Sequence, residues 1–169
     1  MTEGVADENN RATARHVTLY RRWADGGAGI LLTGNVQVDK RYLERAGNIV
    51  IDGDQDAARL SALEAMAEAG TGNDTQLWMQ LSHAGRQTPK LVASEPVGPS
   101  DIPVAVPGGR FGKPRALSGD EIRDVIERFA FAAGIAKQTG FTGVQVHSAH
   151  GYLLSEFLSP RVNVRDDEW

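Results

Sequence analysis

Apolar and polar positions follow two periods along this chain, one of about 3.6 residues and one of short continuous runs. Over residues 13–25, Val17, Tyr20 and Ala24 form one row with Leu19 and Trp23 beside it, which predicts an amphipathic helix. Gly26, Gly27 and Gly29 end it, and residues 1–12 before it are polar enough to read as a loop. Ile30-Leu31-Leu32 is apolar on both faces and stops at Thr33-Gly34-Asn35, as a strand buried in a parallel sheet would. Residues 36–54 are polar and irregular and predict a long loop. Asp54 or Asp56 then caps a helix through Leu60, Leu63, Met66 and Ala67 that ends at Gly70. Residues 76–81 predict a second strand, running into Ser82-His83-Ala84-Gly85-Arg86.

Residues 88–117 hold all but one of the seven prolines and predict a long excursion, with a short hairpin near 104–111. Ser118 and Glu121 form a capping box before a helical stripe of Ile122, Val125, Ile126, Phe129 and Ala133, which Gly140 ends. The short β-type run Val144-Gln145-Val146 then leads to His147, Ser148, His150 and Tyr152, and a further helix starts near Leu153. Strands alternating with helices predict an α/β fold of parallel βαβ units. Each strand ends in polar residues, and in barrels of this kind sites gather at the carboxyl ends of the strands.

Charge changes this picture little. The chain has 169 residues, 18 basic and 22 acidic side chains and a net charge of −4, a balance with no footprint for nucleic acid or an anionic membrane. Cysteine is absent, which excludes disulfides, cysteine-ligated zinc and iron–sulfur clusters within these residues. No apolar run reaches the length of a membrane span and the first residues show no signal segment, so a cytoplasmic location is expected.

The candidate chemistry lies at the strand ends. His147 and His150, three residues apart, fall on one side of a turn, where both could donate to one carbonyl oxygen; structural histidines bonded to backbone would show the same spacing. A metal site fits less well, because no acidic ligand has matching spacing. Tyr152 suits a general acid or a core tyrosine packed beside Leu153 and Phe157. Gln80, inside an apolar strand, either reads the donor and acceptor edge of a heterocycle or bonds the backbone. Gly34 lets a flat ligand approach the chain or simply begins a loop. His83 and Arg86 suit an anion or an ordinary salt bridge. No glycine-rich phosphate loop and no nucleophile elbow is present.

Four segments in order carry a resemblance: GGAGILLTGN, WMQLSHAGRQ, GKPRALSGDEI and HSAHGYLLSEFLSPRVNVRDDEW. Together they closely resemble the Old Yellow Enzyme family, the FMN-dependent NADH:flavin oxidoreductases and ene-reductases. The resemblance implies a (β/α)8 TIM barrel with FMN at the carboxyl ends of its strands. It implies that Gln80 bonds the flavin pyrimidine edge, that the backbone of Gly34 faces the flavin, and that Thr2 tunes the flavin carbonyl. It further implies that His147 and His150 hold the substrate carbonyl and that Tyr152 is the proton donor.

The activity implied is ping-pong reduction of the C=C bond of an activated alkene (an enone, an enoate or a dienoyl thioester) with NAD(P)H as hydride donor. A barrel of this type typically needs about 250 residues. Residues 1–169 are therefore expected to form an incomplete FMN-binding domain, truncated at both ends and carrying strands two to four. The alternative expectation is an inactive fragment that does not hold FMN alone. The full-length protein is compatible with a homo-oligomer.

Overall fold

The computed structural model describes residues 2–169. Helix α1 spans Ala14–Asp25 and is entered through a capping box, in which the backbone N–H of Thr13 donates to His16 Nδ1 at 3.0 Å. Its inward row is His16, Tyr20 and Ala24, so His16 takes the place expected of Val17, and Trp23 stays 38% exposed. Strand β1, Ile30–Gln37, follows, then helix α2, Ala57–Gly70. Asp56, not Asp54, caps α2 by accepting from the backbone N–H of Arg59 at 2.8 Å. Strand β2 is Gln76–Ser82 and one turn of 3-10 helix covers Gly85–Gln87.

After two short strands, β3 (Val97–Gly98) and β4 (Arg115–Ala116), come helix α3 (Gly119–Gln138), strand β5 (Gly143–Val146) and helix α4 (Leu153–Phe157). The Ser118–Glu121 capping box is present at α3, with Glu121 N–H donating to Ser118 Oγ at 3.2 Å.

The main sheet has the order β1-β2-β5 and both pairings are parallel, as βαβ units crossing over through α2 and α3 require. Trp78 pairs with Gly143, and a Cβ on Gly143 would sit 2.8 Å from the Trp78 indole nitrogen, so glycine is what lets β5 start flush against β2. The main core lies between the sheet and α1, α2 and α3, with Tyr20, Met66, Leu77, Met79 and Leu81 fully buried. A smaller cluster joins Val97, Leu117, Ile122, Val125 and Leu153 under α3 and α4. Among the described residues no helix is long and apolar enough to cross a membrane.

Two further expectations change. Residues 36–54 are not wholly loop. Val36 and Gln37 continue β1, and Ile49, Val50 and Ile51 are buried, with Gln37 donating to Ile49 O at 2.9 Å and Ile51 donating back to Gln37 O at 3.0 Å. The polar residues around these three obscured the segment in the pattern. No hairpin forms at 104–111 either. Phe111 bridges back to Pro89, and β3 pairs in parallel with β4, which closes the proline-rich excursion at its base.

Candidate functional site

The site begins with an irregularity in β1. Its register against β2 shifts between Leu32 and Asn35, and Thr33 Oγ1 accepts from the backbone N–H of Gln80 at 2.9 Å, standing in for a ladder bond. The freed N–H of Gly34 donates to Glu3 Oε1 at 2.8 Å. A Cβ on Gly34 would lie 2.1 Å from Glu3 Oε2 and 2.8 Å from Thr2 Cα, so glycine here makes room for the 2–3 segment. Glu3 also accepts from the hydroxyl of the fully buried Tyr20.

Beside this seat, Glu44 Oε2 accepts from Thr2 Oγ1 at 2.7 Å and from Asn35 Nδ2 at 2.6 Å. One carboxylate thus gathers the start of the described chain, the end of β1 and the loop that follows it.

At the adjoining strand, Gln80 pairs in register with Gln145, and the Gln80 amide nitrogen donates to Gln145 Oε1. Gln80 Oε1 is left buried with no hydrogen-bond partner, one of eight such side-chain atoms among the described residues, Asn35 Oδ1 being another at this site. Unsatisfied buried acceptors of this kind are uncommon and costly unless a ligand meets them.

At the end of β5 the ladder runs one step further, with His147 N–H donating to Leu81 O at 2.9 Å. The chain then turns sharply. His150 has φ 58° and Gly151 φ 75°, both left-handed, before Tyr152 N–H returns to Ala149 O at 3.2 Å. His147 is 4% exposed, and its Nδ1 accepts from the Ala149 backbone N–H at 3.3 Å. The ring proton therefore sits on Nε2, which faces His150 Nδ1 at 3.3 Å. Burial, and next the neighbouring His150, holds the His147 imidazole below its ordinary pKa, which keeps it a neutral donor.

The Tyr152 ring packs edge-on against His147, with centroids 5.0 Å apart. Burial first and the Glu44 charge second push its phenol above the usual tyrosine value, so it keeps its proton. The site thus offers two imidazoles, a protonated phenol and an unpaired amide acceptor.

All six residues expected to form the site, Thr2, Gly34, Gln80, His147, His150 and Tyr152, lie in this one chain of contacts. His83 and Arg86 do not join it. His83 is buried, its Nδ1 accepting from Gly85 N–H at 3.1 Å, and Arg86 donates to the backbone oxygen of Ile102 at 3.1 Å. Glu44, Asn35 and Gln145 belong to the site and were not anticipated. Glu44 lies in a stretch without periodicity, and Gln145 becomes informative only once its register against Gln80 is known.

One acceptor suits the pyrimidine edge of a flavin: its imide N–H would satisfy Gln80 Oε1, while the Gln80 amide nitrogen donates to Gln145 and the hydroxyl of Thr2 donates to Glu44. Among the described residues, no group of three or more His, Cys, Asp or Glu could hold a metal ion.

Comparison with known proteins gives a consistent result. The model of the NADH:flavin oxidoreductase / NADH oxidase family matches residues 1–169. The chain is 39% identical over 184 aligned positions to the NADH-dependent flavin oxidoreductase iliE of Hypocrea jecorina, covering 100% of this chain and 46% of that protein. It is 36% identical to an NADH oxidase of Thermoanaerobacter brockii, covering 100% of this chain and 26% of that one. The structure resembles an old yellow enzyme homologue from Zymomonas mobilis with a TM-score of 0.85 and 28% identity, over 99% of this chain and 48% of the other. It also resembles morphinone reductase, with a TM-score of 0.84 and 25% identity, over 99% and 47% of the two chains. The chain thus spans less than half the length of each of these proteins.

Proposed function

The chain belongs to the NADH:flavin oxidoreductase / NADH oxidase family, and from that premise we propose that it forms the substrate side of an FMN site in a protein that reduces activated alkenes. The observation that carries this reading is the unpartnered Gln80 Oε1 beside two imidazoles and a protonated phenol. The 169 residues are then an incomplete barrel domain, and other residues of the whole protein complete the cofactor site.

FMN, when bound, supplies hydride transfer between a reduced nicotinamide and an electron-poor carbon. Gln80 would hold the heterocycle by accepting from its imide N–H. His150, and His147 once its Nε2 proton turns from His150 Nδ1 to the ligand, would donate to the carbonyl oxygen of an enone, enoate or thioester and stabilise the negative charge that grows there. Tyr152 Oη holds the proton for the α-carbon, and its raised pKa keeps that proton in place until a strongly basic carbon appears. NADH and NADPH both suit these donors as hydride source. A cytoplasmic location is part of the same proposal.

Purification of the whole protein and a visible spectrum test the reading. A stoichiometric yellow chromophore released as FMN, with nicotinamide oxidation that depends on an added enone such as cyclohex-2-enone, is the expected result. A colourless protein that takes up no FMN would overturn it.

A further inference from the structure

The turn that carries His150 is held from outside by the segment that follows β2. That segment is itself anchored twice on α4: Leu153 N–H donates to His83 O at 3.1 Å, and Arg86 N–H donates to Glu156 Oε1 at 3.0 Å. Glu156 is 0% exposed. A Cβ on Gly85 would lie 2.4 Å from Glu156 Oε1 and one on Gly98 3.0 Å from Oε2, so two glycines open the space that the buried carboxyl fills. From this anchored turn, Gln87 extends its Nε2 to the backbone oxygen of His150 at 2.7 Å. A Cβ on Gly151 would sit only 2.8 Å from the same nitrogen, so Gln87 also closes over the glycine that follows.

His150, with φ 58°, is in a conformation that a side chain with a Cβ rarely adopts unless its surroundings hold it. We propose that Gln87 is a positioning residue: its amide fixes the His150–Gly151 peptide in the left-handed region and thereby sets how the His150 imidazole faces His147. The proposal rests on the reading that these two imidazoles bind the carbonyl oxygen of the substrate. A pair of donors converging on one oxygen tolerates little rotation of either ring, because misplacement by about 1 Å loses most of the benefit of orientation.

Two variants separate donor from bulk. Gln87→Met keeps the length and removes the N–H, whereas Gln87→Lys keeps an N–H donor. In the whole flavoprotein, Gln87→Met should lower kcat/KM for cyclohex-2-enone on the order of tenfold, the scale of one lost hydrogen bond. FMN content should stay at the wild-type level, and Gln87→Lys should restore most of the rate. In the flavin-free protein, the imidazole 15N signals of His150 should move in Gln87→Met. An unchanged enone kcat/KM would overturn the proposal, and so would a loss of FMN content in parallel with rate. If the wild type itself reduces no enone, the functional reading fails instead, and the imidazole signals decide alone: unchanged His150 signals in Gln87→Met would then overturn the positioning role.

Discussion

Gln80 and Gln145 face each other across the parallel pairing of β2 and β5, and the amide nitrogen of the first donates to the side-chain oxygen of the second. This bond orients Gln80 so that its own oxygen is buried and unpartnered. On the proposed function, Gln145 would act on the cofactor edge without touching it.

Removing the acceptor by Gln80→Met, or its orienting partner by Gln145→Leu, should weaken FMN binding. One hydrogen bond of this kind contributes about 1 kcal/mol, which corresponds to a roughly five- to tenfold rise in Kd. Quenching of flavin fluorescence in a titration of the flavin-free whole protein measures this. Equal Kd values in wild type and Gln80→Met would contradict the assignment of the amide.

Tyr152 packs on His147 and retains its proton, which separates its role from that of the imidazoles. Tyr152→Phe keeps the ring and removes the hydroxyl. Flavin reduction by NAD(P)H should remain nearly intact, while alkene reduction should slow by about a hundredfold or more. Stopped-flow absorbance of the two half-reactions gives both rates, and equal losses in both would contradict a proton-donor role.

The Glu44 carboxylate is the second cause, after burial, of the raised Tyr152 pKa. Glu44→Gln removes a negative charge that opposes phenolate formation, so the phenol should ionise at lower pH than in the wild type. Burial remains, and the pKa should therefore stay above the ordinary tyrosine value. Difference absorbance of tyrosinate against pH, with Tyr152→Phe as the blank, reads the change. A shift upward would show that Glu44 acts on Tyr152 in some other way.

Glu156 titrates at about 8 because burial disfavours its charged form, against an ordinary value of 4.5, while the Arg86 backbone N–H and charge only partly offset that effect. Its folded-state pKa lies above its unfolded one, so the folded protein binds the proton more tightly. The penalty on folding is absent below about pH 4.5, grows as the unfolded chain ionises, and levels off above the folded value of about 8. Glu156→Gln keeps the acceptor for Arg86 and removes the charge. Its stability should match the wild type near pH 4 and exceed it increasingly up to about pH 8, by an amount on the order of a few kcal/mol. Thermal melts across that range measure the gap, and a gap independent of pH would contradict the assignment.

The parts of the fold that were legible in the residue pattern are those with a local cause. Ser118 marks a helix start, and Asp54 or Asp56 narrows another to two positions, because a cap needs only its own neighbours, and Leu77, Met79 and Leu81 mark a buried strand because they recur at every second position. Ile49, Val50 and Ile51 were missed because three apolar residues inside a polar stretch carry no period, and only pairing with Gln37 makes them core.

The site divides in the same way. His147, His150 and Tyr152 stood out through their own chemistry and gained roles from the family resemblance. Glu44 has no such mark: its part in the site comes from Thr2, Asn35 and Tyr152 converging on it from distant positions.

The parallel pairing of β2 with β5 also has a consequence in time. Gln80 and Gln145 are 65 positions apart, and Gln87 and the His150 carbonyl it holds are 63 apart. Contacts so far apart become favourable only after a large loop has closed, and chains rich in them fold slowly for that reason. On the ribosome, Gln80 is made 65 residues before the side chain that orients it exists. The α1 and α2 caps can form long before then. The rim formed by Gln80, Gln87 and His150 therefore takes shape only after α1, β1, α2 and β2 have been made.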